Sequence, residues 1–113
     1  MKTILTTLLP LFLLCSPVSM AQFVTGEELL HLCQSADDGE KSMCLGVIMG
    51  VRDTINTAQE WGSVRKTICI PENMSASHLS KFVIKGLEGE PNSLQMNAAG
   101  QMWKLLFADF PCQ

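Results

Sequence analysis

The feature that most constrains the fold is a stretch of apolar residues with helical spacing in the middle of the chain. Between Ser42 and Glu60 these residues recur every three or four positions: Cys44, Val47, Ile48, Val51, Ile55 and Ala58. This spacing predicts an amphipathic helix of about four turns with one apolar face. Gly46 and Gly50 lie one turn apart within it. Because glycine costs a helix about 1 kcal/mol relative to alanine, the pair indicates that another backbone packs closely there.

The first 21 residues have the pattern of a secretory signal peptide. Lys2 provides the positive charge, an apolar stretch covers residues 4–14, and Ser19-Met20-Ala21 forms a small-x-small cleavage site. The apolar stretch is too short to span a bilayer. A lipid anchor on Cys15 is disfavoured because Leu14, rather than a small residue, precedes it. We therefore predict an exported chain whose single domain covers residues 22–113.

Cleavage at that site leaves an even number of cysteines, which in an oxidising compartment predicts two disulfides. The four are Cys33, Cys44, Cys69 and Cys112. Four cysteines allow three pairings, and the sequence does not choose among them. We favour Cys33–Cys44, which would close a short loop between two helices, and Cys69–Cys112, which would tie the tail to the middle. A zinc site is the alternative, but no Cys-x-x-Cys pair is present and we expect no bound metal.

Capping signals divide the rest of the domain into helices. Thr25 and Glu28 form a capping box for a first helix that ends near Cys33. A polar turn at 35–40 then leads to the central helix, which ends near Glu60. Ser75 is the best N-cap for a third helix, and a turn at 89–92 precedes a fourth helix over 93–108. The predicted fold is all-α, a small four-helix domain stapled by two disulfides.

The fourth helix has a second apolar stripe that suggests a homodimer. One stripe can face the domain core, and the other would need a further partner. The residues of the second stripe are Met96, Ala99, Trp103 and Phe107.

Charge and motifs exclude several classes of function. Without Lys2, seven basic residues face eleven acidic ones, a net charge of 7 − 11 = −4, which argues against nucleic acid as a partner. Cysteine–histidine catalysis would need a free thiolate, and neither His31 nor His78 has a carboxylate in an evident partner position. The sequence therefore predicts a binding protein with no catalytic residues and no cofactor.

Together these residues resemble the Rap/Tai family of periplasmic immunity proteins. The likeness covers nearly all of residues 26–112 and depends on the order and spacing of short motifs, each weak alone. The motifs are Gly26 to Cys33, Cys44-x-Gly46-x-x-x-Gly50-x-x-Asp53, Cys69-Ile70-Pro71, Pro91-x-x-Leu94 with Ala98 and Ala99, and Phe110-Pro111-Cys112. Val47 departs from the pattern, because an aromatic residue is expected there.

The resemblance implies an all-helical, often dimeric periplasmic domain that protects a bacterium from a peptidoglycan amidase delivered by type VI secretion. Such a protein is expected to occlude the active-site cleft of the amidase and to catalyse nothing. We place the contact on the third helix and the turn after it, where carboxylates could pair with a catalytic histidine. The proposed partner-binding residues are His78, Lys81, Lys85, Glu88, Glu90 and Asn92.

Two other classes remain open. A small acid-activated periplasmic chaperone would share the size, the signal peptide and the disulfides, but would expose apolar surface near pH 2–3. A small hydrolase would instead require a free thiol.

Overall fold

A computed structural model describes residues 23–113. The predicted signal peptide, residues 1–21, therefore lies outside the described residues. Gln22, the first residue of the predicted mature chain, also lies outside them. The described chain contains four α-helices and a short 3₁₀ turn, and the all-α prediction is confirmed. The elements are α1 (Gly26–Gln34), α2 (Asp38–Glu60), α3 (Ala76–Glu88), the 3₁₀ turn (Pro91–Ser93) and α4 (Ala98–Asp109).

Two of the predicted helix starts are confirmed by their capping bonds. At α1 the Thr25 hydroxyl accepts from the backbone N–H of Glu28, and the Glu28 carboxylate accepts from the N–H of Thr25, so the capping box is complete. At α3 the Ser75 hydroxyl accepts from the N–H of His78 at 3.1 Å. These bonds satisfy N–H groups that a helix leaves without intrahelical partners.

The other two predicted starts are wrong by several residues. The central helix begins at Asp38, within the predicted polar turn, because Oδ1 of Asp37 accepts from the N–H of Glu40 at 2.9 Å and makes Asp37 the N-cap. The fourth helix begins at Ala98 rather than near Ser93, because Asn97 is its N-cap. Residues 94–97, assigned above to that helix, belong to the connection between α3 and α4.

The four helices share one apolar core. Leu29 of α1, Ile48 of α2, Val83 of α3 and Met102 of α4 are all fully buried there. The T-shaped pair of Phe82 and Phe110, with ring centroids 5.2 Å apart, closes one margin of this core. Burial of these side chains supplies the main driving force for folding.

Both favoured disulfides are present. Cys33–Cys44 joins the end of α1 to α2, and Cys69–Cys112 joins the segment after α2 to the tail. On the loop-entropy account they stabilise the domain by about 3 and 4 kcal/mol. This helps a domain of about 90 residues, whose core alone gives modest stability.

The segment after α2 is held by a buried glutamine that the sequence analysis missed. Oε1 of Gln59 accepts from the N–H groups of Thr67 and Ile68, each at 2.9 Å, and its Nε2 donates to the carbonyl of Ile68 at 3.0 Å. The extended backbone of this segment also pairs with the tail, since the N–H of Cys69 donates to the carbonyl of Phe110. The Cys69–Cys112 bond therefore lies where two segments already run side by side.

Candidate partner-binding surface

One side of α3 carries the polar residues predicted to bind a partner. His78, Lys81, Lys85 and Glu88 recur at intervals of three and four and are all exposed. Such spacing places side chains on the same face of a helix. The core residues of α3, Leu79, Val83 and Leu87, lie on the other side and are buried. The helix is therefore anchored by its apolar face, and its charged face is open to solvent.

The two remaining predicted residues lie in the turn after α3. Asn92 is exposed within the 3₁₀ turn. Glu90 is only half-exposed, and its Oε2 accepts from Nζ of Lys104 at 2.9 Å and from Oγ of Ser93 at 3.1 Å. The Lys104 bond, and then the Ser93 bond, hold the pKa of the Glu90 carboxyl below its usual value. Glu90 is therefore an ionised carboxylate that is already bonded within the domain.

Glu88 also has an internal partner. Its Oε1 accepts from Nε2 of Gln34, the last residue of α1, at 2.8 Å. This bond is exposed to solvent and joins an uncharged amide to a carboxylate. A competing partner can therefore replace it at modest cost in free energy. The predicted carboxylates thus differ, since Glu90 is held by a lysine and Glu88 by a glutamine.

The connection between α3 and α4 also caps the start of α1. The carbonyls of Leu94 and Met96 accept from the N–H groups of Glu27 and Gly26, each at 2.9 Å. Gln95 adds a side-chain bond from its Nε2 to Oε2 of Glu27 at 2.6 Å. A long-range role of this kind leaves no periodic signal in the sequence.

A second surface feature is an open groove between α2 and α4. It is lined mainly by apolar and small residues: Gly46, Val47, Gly50, Val51, Thr54, Ile55, Ala99, Gly100 and Trp103. A Cβ atom placed on Gly46, Gly50 or Gly100 would meet no other described atom within 4 Å. The expectation that a backbone packs on the two α2 glycines is therefore wrong within the described chain, because α4 does not approach them. One side of the groove is the glycine face of α2. The other side includes Ala99 and Trp103, which belong to the second apolar stripe of α4.

The described residues contain neither a free thiol nor a cluster of metal-ligating side chains. All four of their cysteines are in disulfides, so a cysteine nucleophile would have no thiol there. No group of three or more metal-ligating side chains comes together in residues 23–113. In the same residues, no helix is long and apolar enough to cross a membrane. The prominent features are instead surfaces: the charged face of α3 and the apolar groove.

Fold and surface together define a small disulfide-stapled helical domain with exposed features suited to binding. A sequence model of the family described as Rap1a immunity proteins matches residues 25–112, which is most of the chain. The chain therefore belongs to the Rap1a immunity protein family. Among curated proteins, no match to the chain was found.

Proposed function

We propose that this protein is a periplasmic immunity protein that binds a peptidoglycan amidase of a type VI secretion system and occludes its active-site cleft. The observation that carries the proposal is the family match over residues 25–112. The sequence resemblance described above supplies the class of effector. In this role the chain acts as an inhibitor by shape and charge, and it has no catalytic activity of its own.

The proposed contact surface is the exposed face of α3 with the turn that follows it. Its contact residues are His78, Lys81, Lys85, Glu88 and Asn92, and Glu90 lies in the same turn, bonded within the domain to Lys104 and Ser93. Lysines and carboxylates at an interface speed encounter and select the partner by charge. The Glu88 carboxylate, whose present partner is an uncharged side chain, is the better placed of the two carboxylates to pair with a catalytic histidine.

Titration calorimetry of residues 22–113 into the amidase encoded beside this protein, with peptidoglycan cleavage followed in parallel, tests the proposal. We expect saturable binding and loss of cleavage. Binding without loss of cleavage would contradict occlusion of the active site. No binding, with cleavage undiminished, would contradict the proposed function.

A matched pair of double variants tests the surface. Lys81→Glu with Lys85→Glu reverses two charges on α3, and Arg65→Glu with Lys66→Glu reverses two exposed charges in the segment after α2. The change in net charge is identical, so long-range electrostatics are matched. We expect the α3 variant to lose at least tenfold in affinity, about 1.4 kcal/mol, and the control to lose much less. Equal losses would mean that the contact does not lie on α3.

We also propose that the protein is a homodimer whose copies meet at the groove between α2 and α4. The lining of this groove contains no charged residue, whereas the chain from Gln22 onward has a net charge of −4 (7 − 11). Two negatively charged chains repel each other least when they meet through surface patches that carry no charge. The Thr54 hydroxyl donates to the carbonyl of Gly50 at 2.7 Å, so burying it leaves no unpaired donor. A two-fold interface must be self-complementary, and this surface offers an open glycine recess beside the half-buried Trp103.

The variant Gly100→Asp tests this dimer. Position 100 lies in the first turn of α4, where a carboxylate suits the helix dipole, so the monomer should fold. The variant places one charge in each groove, and we expect sedimentation to show a dimer for the wild type and a monomer for the variant. A dimer in both would place the interface elsewhere.

The periplasmic location rests on the predicted signal peptide and on the two disulfides, which form in oxidising compartments. Export with cleavage before Gln22 is tested by fractionating cells and measuring the mass of the recovered chain. The full-length mass, or recovery from the cytoplasm, would contradict it.

The alternative is a small acid-activated chaperone, and the observation that favours it is the open apolar groove. Such a protein would expose more apolar surface near pH 2–3 and would protect many unfolded clients. Dye binding across this pH range, with an aggregation assay, distinguishes it from an inhibitor that binds one amidase at neutral pH.

A further inference from the structure

The connection between α3 and α4, residues 89–97, is held in two different ways. Its second half is fixed through the backbone, because the carbonyls of Leu94 and Met96 accept from the first N–H groups of α1. The carbonyl of Met96 accepts a further bond from Nε2 of Gln101 at 2.9 Å. Local opening of this half would break bonds that also cap α1, so it is firmly ordered.

The first half of the connection has no such backbone anchor. The N–H of Glu90 donates to the carbonyl of Leu87, the N–H of Ser93 donates to the carbonyl of Glu90, and the carbonyl of Ser93 accepts from the N–H of Met96, so all three bonds span only three positions. In residues 23–113, the one hydrogen bond from positions 90–93 to another helix is that between Glu90 and Lys104 of α4, at 2.9 Å. Ser93 donates to the same Oε2 atom and closes the turn on itself.

We propose that Glu90 is a positioning residue of the partner-binding surface: its bond to Lys104 holds the turn at 90–93 in place, and so fixes how Asn92 and the end of α3 meet the partner. This inference rests on the proposed function. Glu90 thus acts through the turn and does not itself touch the amidase. A contact to the amidase through Oε2 would have to displace the ammonium of Lys104 and the hydroxyl of Ser93.

The benefit of this arrangement is preorganisation. A turn that is already ordered loses less conformational entropy when a partner binds, so more of the contact energy is retained as affinity. Pro91 contributes to the same end, because its ring fixes one backbone dihedral immediately after Glu90. Loss of the exposed Lys104 bond should therefore weaken binding by up to about fivefold, the limit set by what an exposed ion pair contributes.

A charge exchange separates positioning from direct contact. We expect Glu90→Lys alone and Lys104→Glu alone to weaken amidase binding roughly tenfold, mainly through faster dissociation. The double exchange restores the ion pair with its polarity reversed, and we expect affinity within about threefold of the wild type. If Glu90 touches the amidase, the exchanged lysine cannot replace it, and the double variant will bind no better than Glu90→Lys.

The exposed pair of Asp38 and Lys41 in the first turn of α2, 3.9 Å apart, provides a matched control. Exchanging these two charges leaves the net charge unchanged, as the test exchange does. We expect the affinity for the amidase to be unchanged as well. Hydrogen exchange without a partner provides a second measurement. In Glu90→Gln the Ser93 amide should exchange several-fold faster, while amides of the core of α2 remain unchanged.

The outcomes separate this inference from the proposed function. A wild type that binds no amidase overturns both, whatever the exchange measurement shows. A wild type that binds, together with single variants that bind as well or a double variant that is not restored, overturns the positioning role alone. Restored affinity in the double exchange, together with faster exchange of the Ser93 amide in Glu90→Gln, supports it.

Discussion

Two groups of glycines in this domain have opposite surroundings. A Cβ atom on Gly86 of α3 would lie 2.6 and 2.7 Å from the two methyl groups of Leu105, and one on Gly26 would lie 2.8 Å from Oε1 of Gln101. A Cβ atom on Gly46 or Gly50 of α2 would meet no described atom within 4 Å. The first group lies where α4 packs against α1 and α3, and the second lies on the open groove.

This difference shows which glycines the fold of one chain requires. At Gly86 a side chain has no room, so a glycine there is explained by the packing of α3 on α4. At Gly46 and Gly50 the same chain gives no such reason, although each glycine makes α2 less stable than alanine would. A surface that keeps a costly recess is consistent with the proposed contact to a second copy.

The largest effect is expected at Gly86. Gly86→Ala inserts a methyl group against Leu105, and overpacking of this kind costs about 1–3 kcal/mol. The higher helix propensity of alanine returns about 1 kcal/mol. We expect a net loss of up to about 2 kcal/mol, which thermal denaturation would report as a decrease of up to several degrees for a domain of this size.

The variant Leu105→Ala provides the control for this prediction. It removes the methyl groups that Gly86→Ala would meet, so the double variant should be more stable than the sum of the two single losses. A coupling of about 0.5 kcal/mol or more would support the contact. Additive losses would indicate that α4 shifts to accommodate the new methyl group.

At Gly50 the expected change is smaller and has the opposite sign. Because the site is open, Gly50→Ala should stabilise the monomer by about 1 kcal/mol, the difference in helix propensity. The same methyl group would enter the proposed interface and weaken the dimer. Thermal denaturation of dilute protein should show a higher midpoint, and sedimentation at high concentration should show more monomer. A lower midpoint in dilute protein would mean that something already packs on Gly50.

How far the sequence predicts this molecule depends on the range of the interaction. The start of α1 and the start of α3 were predicted because Thr25 and Ser75 act on residues only three positions away. The disulfides were predicted because export was expected from the sequence, and four cysteines in an oxidising compartment allow only three pairings. The two wrong helix starts also involve short-range caps, Asp37 and Asn97, but several polar residues compete for the cap in each turn.

Long-range contacts explain most of what the sequence did not reveal. The glycines at 46 and 50 were taken to mark close packing of another backbone, which is wrong within the described chain. Nothing in their spacing says whether α4 or another molecule would cover that face. The predicted site residues Glu88 and Glu90 resemble each other in sequence. Their difference depends on Gln34 and Lys104, which lie 54 and 14 positions away. The role of Gln59 in holding the extended segment likewise depends on tertiary structure.

The smallest effect is expected from pH, on the packed side of the domain near Gly86. The bonds from Lys104 and Ser93 hold the pKa of Glu90 below its usual value. The resulting contribution to stability is fully present above the ordinary pKa of a glutamate and is lost as the pH falls through the lowered pKa. Because the pair is exposed to solvent, salt should also weaken it. We expect the wild type to melt slightly above Glu90→Gln at pH 7 in low salt, and the difference between the two midpoints to shrink as the pH falls below the ordinary pKa of a glutamate. A difference that stays constant down to acid pH would mean that Glu90 stabilises the turn by contacts that do not require its charge.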